Sequence, residues 1–286
     1  MATIEIKGDK RIIRLSNDDI VEAPLAITAP YKPKPSVIYH YTSIDTFQKI
    51  LKSKSLRFTN LRDLNDTSEF YYGLRLLLDK ITRYEIKRGI SLQYRIPHDF
   101  IKTLFLDYSK NLYASCFTEN GDNIVFWNSL YIKPNNAVAI GFDTNKLQTE
   151  KCKLRFCIYG EPPLHEIDEE IYGMLLRLYK HPCTIQNDSN FLQTTFNPAY
   201  IKHKGFEPEE EWRLVSVPHE GVKTGTFNRG NKLCHFFDSP INLNAMVKLV
   251  VGPGEEQFRN LDLVYTEARL NGVSTEIDYS RIPYNS

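Results

Sequence analysis

The stretch Val37-Ile38-Tyr39-His40-Tyr41-Thr42-Ser43 limits the fold more than any other part of the chain. Its apolar start predicts a strand. At its end Ser43, or Thr42, is a good N-cap for a helix whose Ile44, Phe47, Ile50 and Leu51 fall on one face. A His-Tyr-Thr-Ser cluster is thereby delivered to the mouth of a helix. Upstream, the prolines from Pro24 to Pro35 mark an extended connector, and alternation on either side of Gly8-Asp9 predicts a hairpin over residues 2 to 15. The expected organisation is a hairpin and Pro-rich connector over 1–35, followed by one domain over 36–286.

Downstream, periodicity predicts a brief strand near Leu56 to Thr59 and a long helix with Phe70, Leu74, Leu77, Leu78 and Ile81 inward, opened by the capping-box spacing of Asp66-Thr67-Ser68-Glu69. A further helix is expected near residues 96 to 108. Strand-like runs follow near residues 113–117, 137–142, 151–159, 210–217, 234–238, 247–251 and 275–279, with helices near 164–179 and 255–271 and a short helix or turn over Ile124 to Trp127 with Leu130-Tyr131. Strands and helices mix without regular alternation, which favours α+β over a doubly wound sheet.

Composition excludes several classes. The net charge of +1 provides no global field for nucleic acid or an anionic membrane, and no apolar stretch approaches the length of a span. Five scattered cysteines and an N-terminus without a signal-peptide pattern lead to an expectation of reduced thiols in a cytoplasm. Cys152 and Cys157, five apart in a strand-like run, point to opposite faces, so no metal site is expected. Seventeen Tyr and sixteen Phe supply more flat surface than a core usually needs, which is compatible with a base-binding cleft.

Two constellations carry chemistry. Where strand meets helix at His40 to Ser43, free backbone N–H groups, two hydroxyls and the positive helix end converge, a setting that suits a phosphate or a ribose. The bland alternative is a His satisfied among its neighbours. In Glu209-Glu210-Glu211-Trp212-Arg213, strand alternation places Glu209, Glu211 and Arg213 on one face and Trp212 on the other, towards the core. A carboxylate fixed beside a sugar can hydrogen-bond its 2-hydroxyl and stabilise an oxocarbenium-like transition state. The bland alternative is a solvated acidic strand edge with an intrastrand Glu211–Arg213 pair. A phosphate loop at Val250-Val251-Gly252-Pro253-Gly254 is disfavoured because Glu255 and Glu256 occupy the helix start. No nucleophile-elbow spacing supports a serine hydrolase.

Five ordered segments carry a resemblance: Tyr39-His40-Tyr41-Thr42-Ser43, Leu64-Asn65-Asp66-Thr67-Ser68-Glu69-Phe70, Ser115-Cys116-Phe117-Thr118 with Trp127, Ile140-Gly141-Phe142-Asp143, and Glu211-Trp212-Arg213. Together they resemble the bacterial domain-of-unknown-function family two-nine-seven-one, over about residues 36 to 282. That family in turn resembles the ADP-ribosyltransferase fold, marked by His, an aromatic residue and Glu on separate strands of a split β-sheet. The resemblance implies an α+β fold with a split antiparallel or mixed sheet and flanking helices. It also implies NAD as substrate without a metal.

On this resemblance His40 would bond a ribose of NAD, and Tyr41 and Thr42, with Ser43 and Asn65, would line the nucleotide. Glu211 would be the catalytic acid and Glu209 the acceptor-facing acid. Phe117, Trp127 and Tyr131 all fit the aromatic position. Arg213 and Asp66 would give structural support, Asp66 as a helix cap. The implied activity is ADP-ribosyl transfer to an unknown protein or nucleic acid, or NAD hydrolysis. Stand-alone bacterial proteins of this kind often serve as toxins or anti-phage effectors, which adds an antitoxin to the expected partners. The alternative is a non-enzymatic nucleotide- or protein-binding module on a degenerate transferase fold.

Overall fold

The computed structural model describes residues 3–7, 10–14, 20–24, 34–64, 68–128, 135–147, 153–160, 169–180, 198–219 and 221–283. It divides into two compact units threaded through each other in sequence. One takes Met1–Tyr31, Ser68–Tyr108 and Gly160–Ile201, and the other takes Lys32–Thr67, Ser109–Tyr159 and Lys202–Ser286.

The first unit opens with β1 (Thr3–Lys7), β2 (Lys10–Arg14) and β3 (Ile20–Pro24) in one antiparallel sheet. The expected hairpin is there, and a third strand extends it to Pro24. The second unit begins with β4 (Val37–Ser43), α1 (Ile44–Ser53) and β5 (Ser55–Asn60). Chain order then returns to the first unit with α2 (Ser68–Lys87) and α3 (His98–Ser109). Phe70, Leu74, Leu77 and Ile81 of α2 and Ile101 and Phe105 of α3 lie in that unit's apolar core. At its centre the buried Glu85 carboxylate accepts from Ile96 N at 3.0 Å and from the Tyr172 hydroxyl at 2.7 Å, fixing the loop between the two helices.

The second unit continues with β6 (Tyr113–Thr118), α4 (Ile124–Trp127), β7 (Ala137–Asp143), α5 (Thr144–Leu147), β8 (Lys153–Phe156) and β9 (Ile158–Tyr159). After α6 (Glu169–Lys180) of the first unit and the two-residue β10 (Ile201–Lys202) come β11 (Glu211–Ser216), β12 (Lys223–Arg229), β13 (Lys232–Pro240) and β14 (Met246–Val251). The chain closes with α7 (Gln257–Leu270) and β15 (Glu276–Tyr279). The predicted strand over 210–217 is thus Glu211–Ser216. Glu209 lies outside it, in a 3-10 turn over Lys204–Glu209. β12 is an addition to the predicted set, and the predicted strand at 151–159 is two short strands.

Ten strands form a mostly antiparallel open sheet in the order β12-β13-β5-β6-β4-β7-β14-β15, with β11 against β6 and β8 against β11. Among the described strands of this sheet only β14 and β15 run parallel, joined by the α7 crossover that such a pair requires. One face packs on α1 and α7: Ile44, Phe47, Ile50 and Leu51, with Val264 and Ala268, meet Ile38, Ile140, Phe117, Trp212 and Leu214. Gln48 donates to Glu267 at 2.8 Å and ties the two helices together. The other face carries Ala137, Ala139, Val250, Tyr39, Tyr41 and Trp127. After β14 comes a strand-to-helix turn, as the two glutamates predicted; Gly254 there has φ 153°, and a Cβ would collide with the Asn135 side chain.

The sheet divides at β6. β11 pairs with β6 along its whole length, but on the opposite edge β5 meets it only at Tyr113 and Ala114, and β4 only at Thr118. Between those anchors, at Ser115, Cys116 and Phe117, no described strand pairs with β6 on that edge.

Candidate functional site

His40 fills that gap. Its register with Ile140, beside Ile38, places it on the helix-covered face, and its ring lies 5.6 Å from that of Phe117. Nδ1 is 2.9 Å from the Cys116 carbonyl oxygen. A carbonyl only accepts, so Nδ1 carries the proton and Nε2 keeps its lone pair. Burial lowers the imidazole pKa, and the carbonyl bond offsets this only in part. The ring is therefore neutral near pH 7.

The rest of the first cluster is occupied by the fold itself. Ser43 caps α1, accepting from Thr46 N at 3.1 Å and donating to Thr46 Oγ1 at 2.9 Å. The next helix N–H, of Ile44, goes to Asn136 Oδ1 at 3.2 Å, and Asn136 donates to Asp45 at 3.1 Å. The expectation of open donors for a phosphate is corrected accordingly: Ser43 takes the Thr46 N–H, Asn136 takes that of Ile44, and Asp45 brings negative charge to the helix start. Thr42 is buried.

The Tyr41 hydroxyl donates to Asn120 O at 2.8 Å and accepts from Asn123 N at 2.9 Å. Its ring stacks on Phe126 and meets the edge of Trp127, with centroids 4.8 and 4.5 Å away. Trp127 is buried and donates to Asp122 at 2.7 Å; Asp122 also receives the Ser280 hydroxyl and Arg281 N. Tyr41 and Trp127 thus hold the loop between β6 and α4, and Phe117 belongs to the core. The rings of Phe117 and Trp127 are enclosed by protein. Asn65, Asp66 and Tyr131 lie outside the described residues.

The second cluster is a buried ionic network. β11 turns Trp212 and Leu214 to the core, as alternation predicts, and Trp212 Nε1 donates to Glu119 at 2.7 Å. Glu211 and Arg213 point the other way and are 4% and 3% exposed. Arg213 grips the carboxylate with a fork, Nε to Oε1 at 2.6 Å and Nη2 to Oε2 at 2.9 Å. The Lys202 ammonium lies 2.5 Å from Glu211 Oε2 and 2.5 Å from Glu209 Oε2. Two cations thus balance two carboxylates.

Burial alone would raise the Glu211 pKa, but the adjacent Arg213 and Lys202 charges outweigh it and hold the carboxyl below its usual range. Glu211 is accordingly ionised at neutral pH. Burial and the Glu211 charge push the neighbouring Cys116 thiol up. The Glu211 backbone is fixed as well: its N–H donates to the Tyr159 hydroxyl at 2.7 Å, and its carbonyl accepts from Cys157 N at 2.8 Å.

The two clusters meet at β6 but not as opposing walls of a slot, which corrects the simplest form of the expectation. Tyr39, Thr118 and Glu211 form one cross-strand row, so it is Tyr39 that shares Glu211's face. His40 reaches the same strand through the gap and binds the carbonyl of Cys116, the residue whose side chain bonds Glu211. Cys116, Lys202 and Tyr159 were not among the residues anticipated from sequence. Their roles depend on strand order, which no local spacing announces.

Among the described residues no helix is long and apolar enough to cross a membrane. No curated protein and no solved structure matches the chain. The matched segment of the one family finding runs from Trp127 through β7, β8 and α6 to Leu214, so it contains Glu211 and Arg213 but not His40. That match, of residues 127–214 to the family model described as protein of unknown function (DUF2971), supports this chain's place in the DUF2971 family.

Proposed function

We propose that the chain is a cytoplasmic, ADP-ribosyltransferase-like protein that cleaves the nicotinamide–ribose bond of NAD and passes ADP-ribose to a macromolecular acceptor or to water. The observation that carries this reading is the convergence of the His40 strand and the Glu211 strand on Cys116, where the sheet divides. In the proposed reaction the C1′–N bond breaks with its electron pair going to the ring nitrogen, so nicotinamide leaves neutral. An acceptor or water oxygen adds to C1′ and releases its proton to a base. Glu211, kept ionised, orients the ribose 2′-hydroxyl and stabilises the positive charge developing on the sugar. Glu209, 22% exposed at its side chain, takes the acceptor's proton on this reading. Neutral His40, on the other face of the sheet, holds β6 in place through the Cys116 carbonyl. A toxin or anti-phage role, with an antitoxin partner, follows from analogy of fold alone.

A specific observation favours a second reading. Every Glu211 oxygen is already held by Arg213 or Lys202 inside the protein, as in a structural ion network. On that reading the chain is a catalytically silent nucleotide- or protein-binding module. Pure protein incubated with NAD and assayed for free nicotinamide separates the two. Release by wild type and its loss in Glu211→Gln, measured below the variant's melting temperature, supports transfer or hydrolysis; equal release by both refutes it. A melting-temperature rise with NAD tests binding without an acceptor.

A further inference from the structure

The sheet ends on β12, and its register fixes which side chains share one face there. Lys223 stands opposite Asp238, which stands opposite Arg57; Gly225 is opposite Phe236, Phe227 opposite Cys234, and Arg229 opposite Lys232 at the hairpin. These positions alternate with Phe58 and Phe237, which face the core with α1 and α7. The strip therefore looks the other way, and from Lys223 to Arg229 it runs about 20 Å at the rise of a strand.

Its rings and guanidinium groups are layered. The Arg57 guanidinium lies 3.5 Å from the centre of the Phe236 ring, and Asp238 holds it by the edge, accepting from Nε at 2.9 Å and from Nη2 at 3.0 Å. Phe236 is buried beneath it, whereas the Arg57 side chain is 45% exposed. A flat cationic face is thus fixed towards solvent. Gly225 makes room for this stack, because a Cβ there would come within 2.9 Å of the Phe236 ring. Alongside, the half-buried Phe227 ring has Arg57 at 5.6 Å and Arg229 at 5.3 Å from its centre.

Charge supplies the second observation. Arg57, Lys223, Arg229 and Lys232 stand here against Asp238 and Asp63, a surplus of two positive charges in a chain whose total is +1. The two carboxylates are engaged, Asp238 by Arg57 and Asp63 by His235. Cations that only kept an outer strand from pairing would need no aromatic rings layered between them.

We propose that this strip binds single-stranded nucleic acid, with bases stacking on the Arg57 face and on Phe227 and phosphates meeting Lys223, Arg229 and Lys232. Unpaired bases present the flat faces that such a surface takes; a duplex keeps them stacked inside, and an acidic peptide has none. The proposal is independent of the NAD reading, whose Glu211 and His40 lie on β11 and β4.

The test uses the full chain and a fluorescein-labelled twelve-nucleotide oligothymidylate, followed by anisotropy across a salt series. Wild type is expected to bind, with affinity falling as salt rises. Phe227→Leu keeps an apolar side chain but removes the flat face, and is expected to weaken binding about fivefold or more, whereas Phe227→Tyr should bind as wild type does. Lys223→Ala, at an exposed position, should flatten the slope of log affinity against log salt by about 0.7, the mark of one lost phosphate contact. The proposal is overturned if wild type does not bind at low salt, or if heparin or polyglutamate of matched charge binds as tightly as the oligonucleotide. It is equally overturned if a cooperatively melting Phe227→Leu binds as well as wild type. Should that variant not melt cooperatively, Arg57→Lys, which keeps the charge beside Asp238 and loses the plane, carries the same expected loss and the same overturning result.

Discussion

The Nδ1 of His40 donates to the backbone carbonyl of Cys116 across 2.9 Å, at the middle of the three positions of β6 between its β5 and β4 anchors. The imidazole stands where a neighbouring strand would be. Replacing it with Ala leaves a poorly hydrated carbonyl without this donor, so His40→Ala is expected to lose about 1 to 3 kcal/mol in urea unfolding. His40→Asn, whose amide can donate from a similar place, should recover part of that loss. Equal stability of the two variants would argue that the bond is unimportant.

Protonation of the same ring gives a pH signature. Its folded pKa is lowered by burial, so the folded state binds fewer protons than the unfolded chain below the unfolded value of about 6.5. The stability contributed by neutral His40 is complete above that value and is lost as pH falls towards the folded pKa. Unfolding free energies of wild type should decline in this window, and those of His40→Asn should decline less.

Glu211 produces the corresponding effect at lower pH. Its depressed pKa means that its ion-pair contribution is present above the unfolded carboxylate value of about 4.3 and disappears as pH drops through the folded one. Glu211→Gln strands buried cations and is expected to cost about 3 to 5 kcal/mol at pH 7. The double change with Arg213→Gln should cost less than the sum of the singles, with a coupling of roughly 0.5 to 3 kcal/mol in a double-mutant cycle. Strict additivity would mean that the fork is not energetically coupled.

Tyr41→Phe removes a hydroxyl that both donates to Asn120 O and accepts from Asn123 N, while keeping the ring against Phe126 and Trp127. The expected loss is about 1 to 3 kcal/mol. Exchange of the Asn123 amide hydrogen should accelerate and tryptophan fluorescence should stay near that of wild type. An unchanged exchange rate would show that the loop between β6 and α4 is held elsewhere.

Some of this architecture could be read from residues alone because its cause is local. Ser43 caps α1, and period-2 alternation separates Trp212 from Glu211 and Arg213, whatever the rest of the chain does. The bland reading of the acidic strand foresaw the Glu211–Arg213 pair but set it on a solvated edge, whereas β11 lies between β6 and β8 and the pair is buried. His40's partner could not be foreseen: it is a main-chain oxygen 76 positions away, and main-chain atoms leave no mark on composition. Lys202 was equally hidden, in a stretch without periodicity. β12 escaped because Lys223-Thr-Gly-Thr-Phe-Asn-Arg229 is an outer strand with mostly exposed or half-exposed side chains, so no apolar face announces it. The phosphate expectation at His40 to Ser43 placed the helix start correctly but could not see Asn136 arriving from another loop to satisfy it.

The pairing of β5 with β13 joins Arg57 to Asp238, 181 positions apart, through both nitrogens of a guanidinium fork. During synthesis at about 5 to 20 residues per second, β5 leaves the ribosome on the order of 10 to 40 s before its partner exists. For that interval Leu56 and Phe58 have no hairpin to cover their edge. Production of this protein should depend on holdase chaperones that shield nascent chains, more than its ordinary size and composition would suggest.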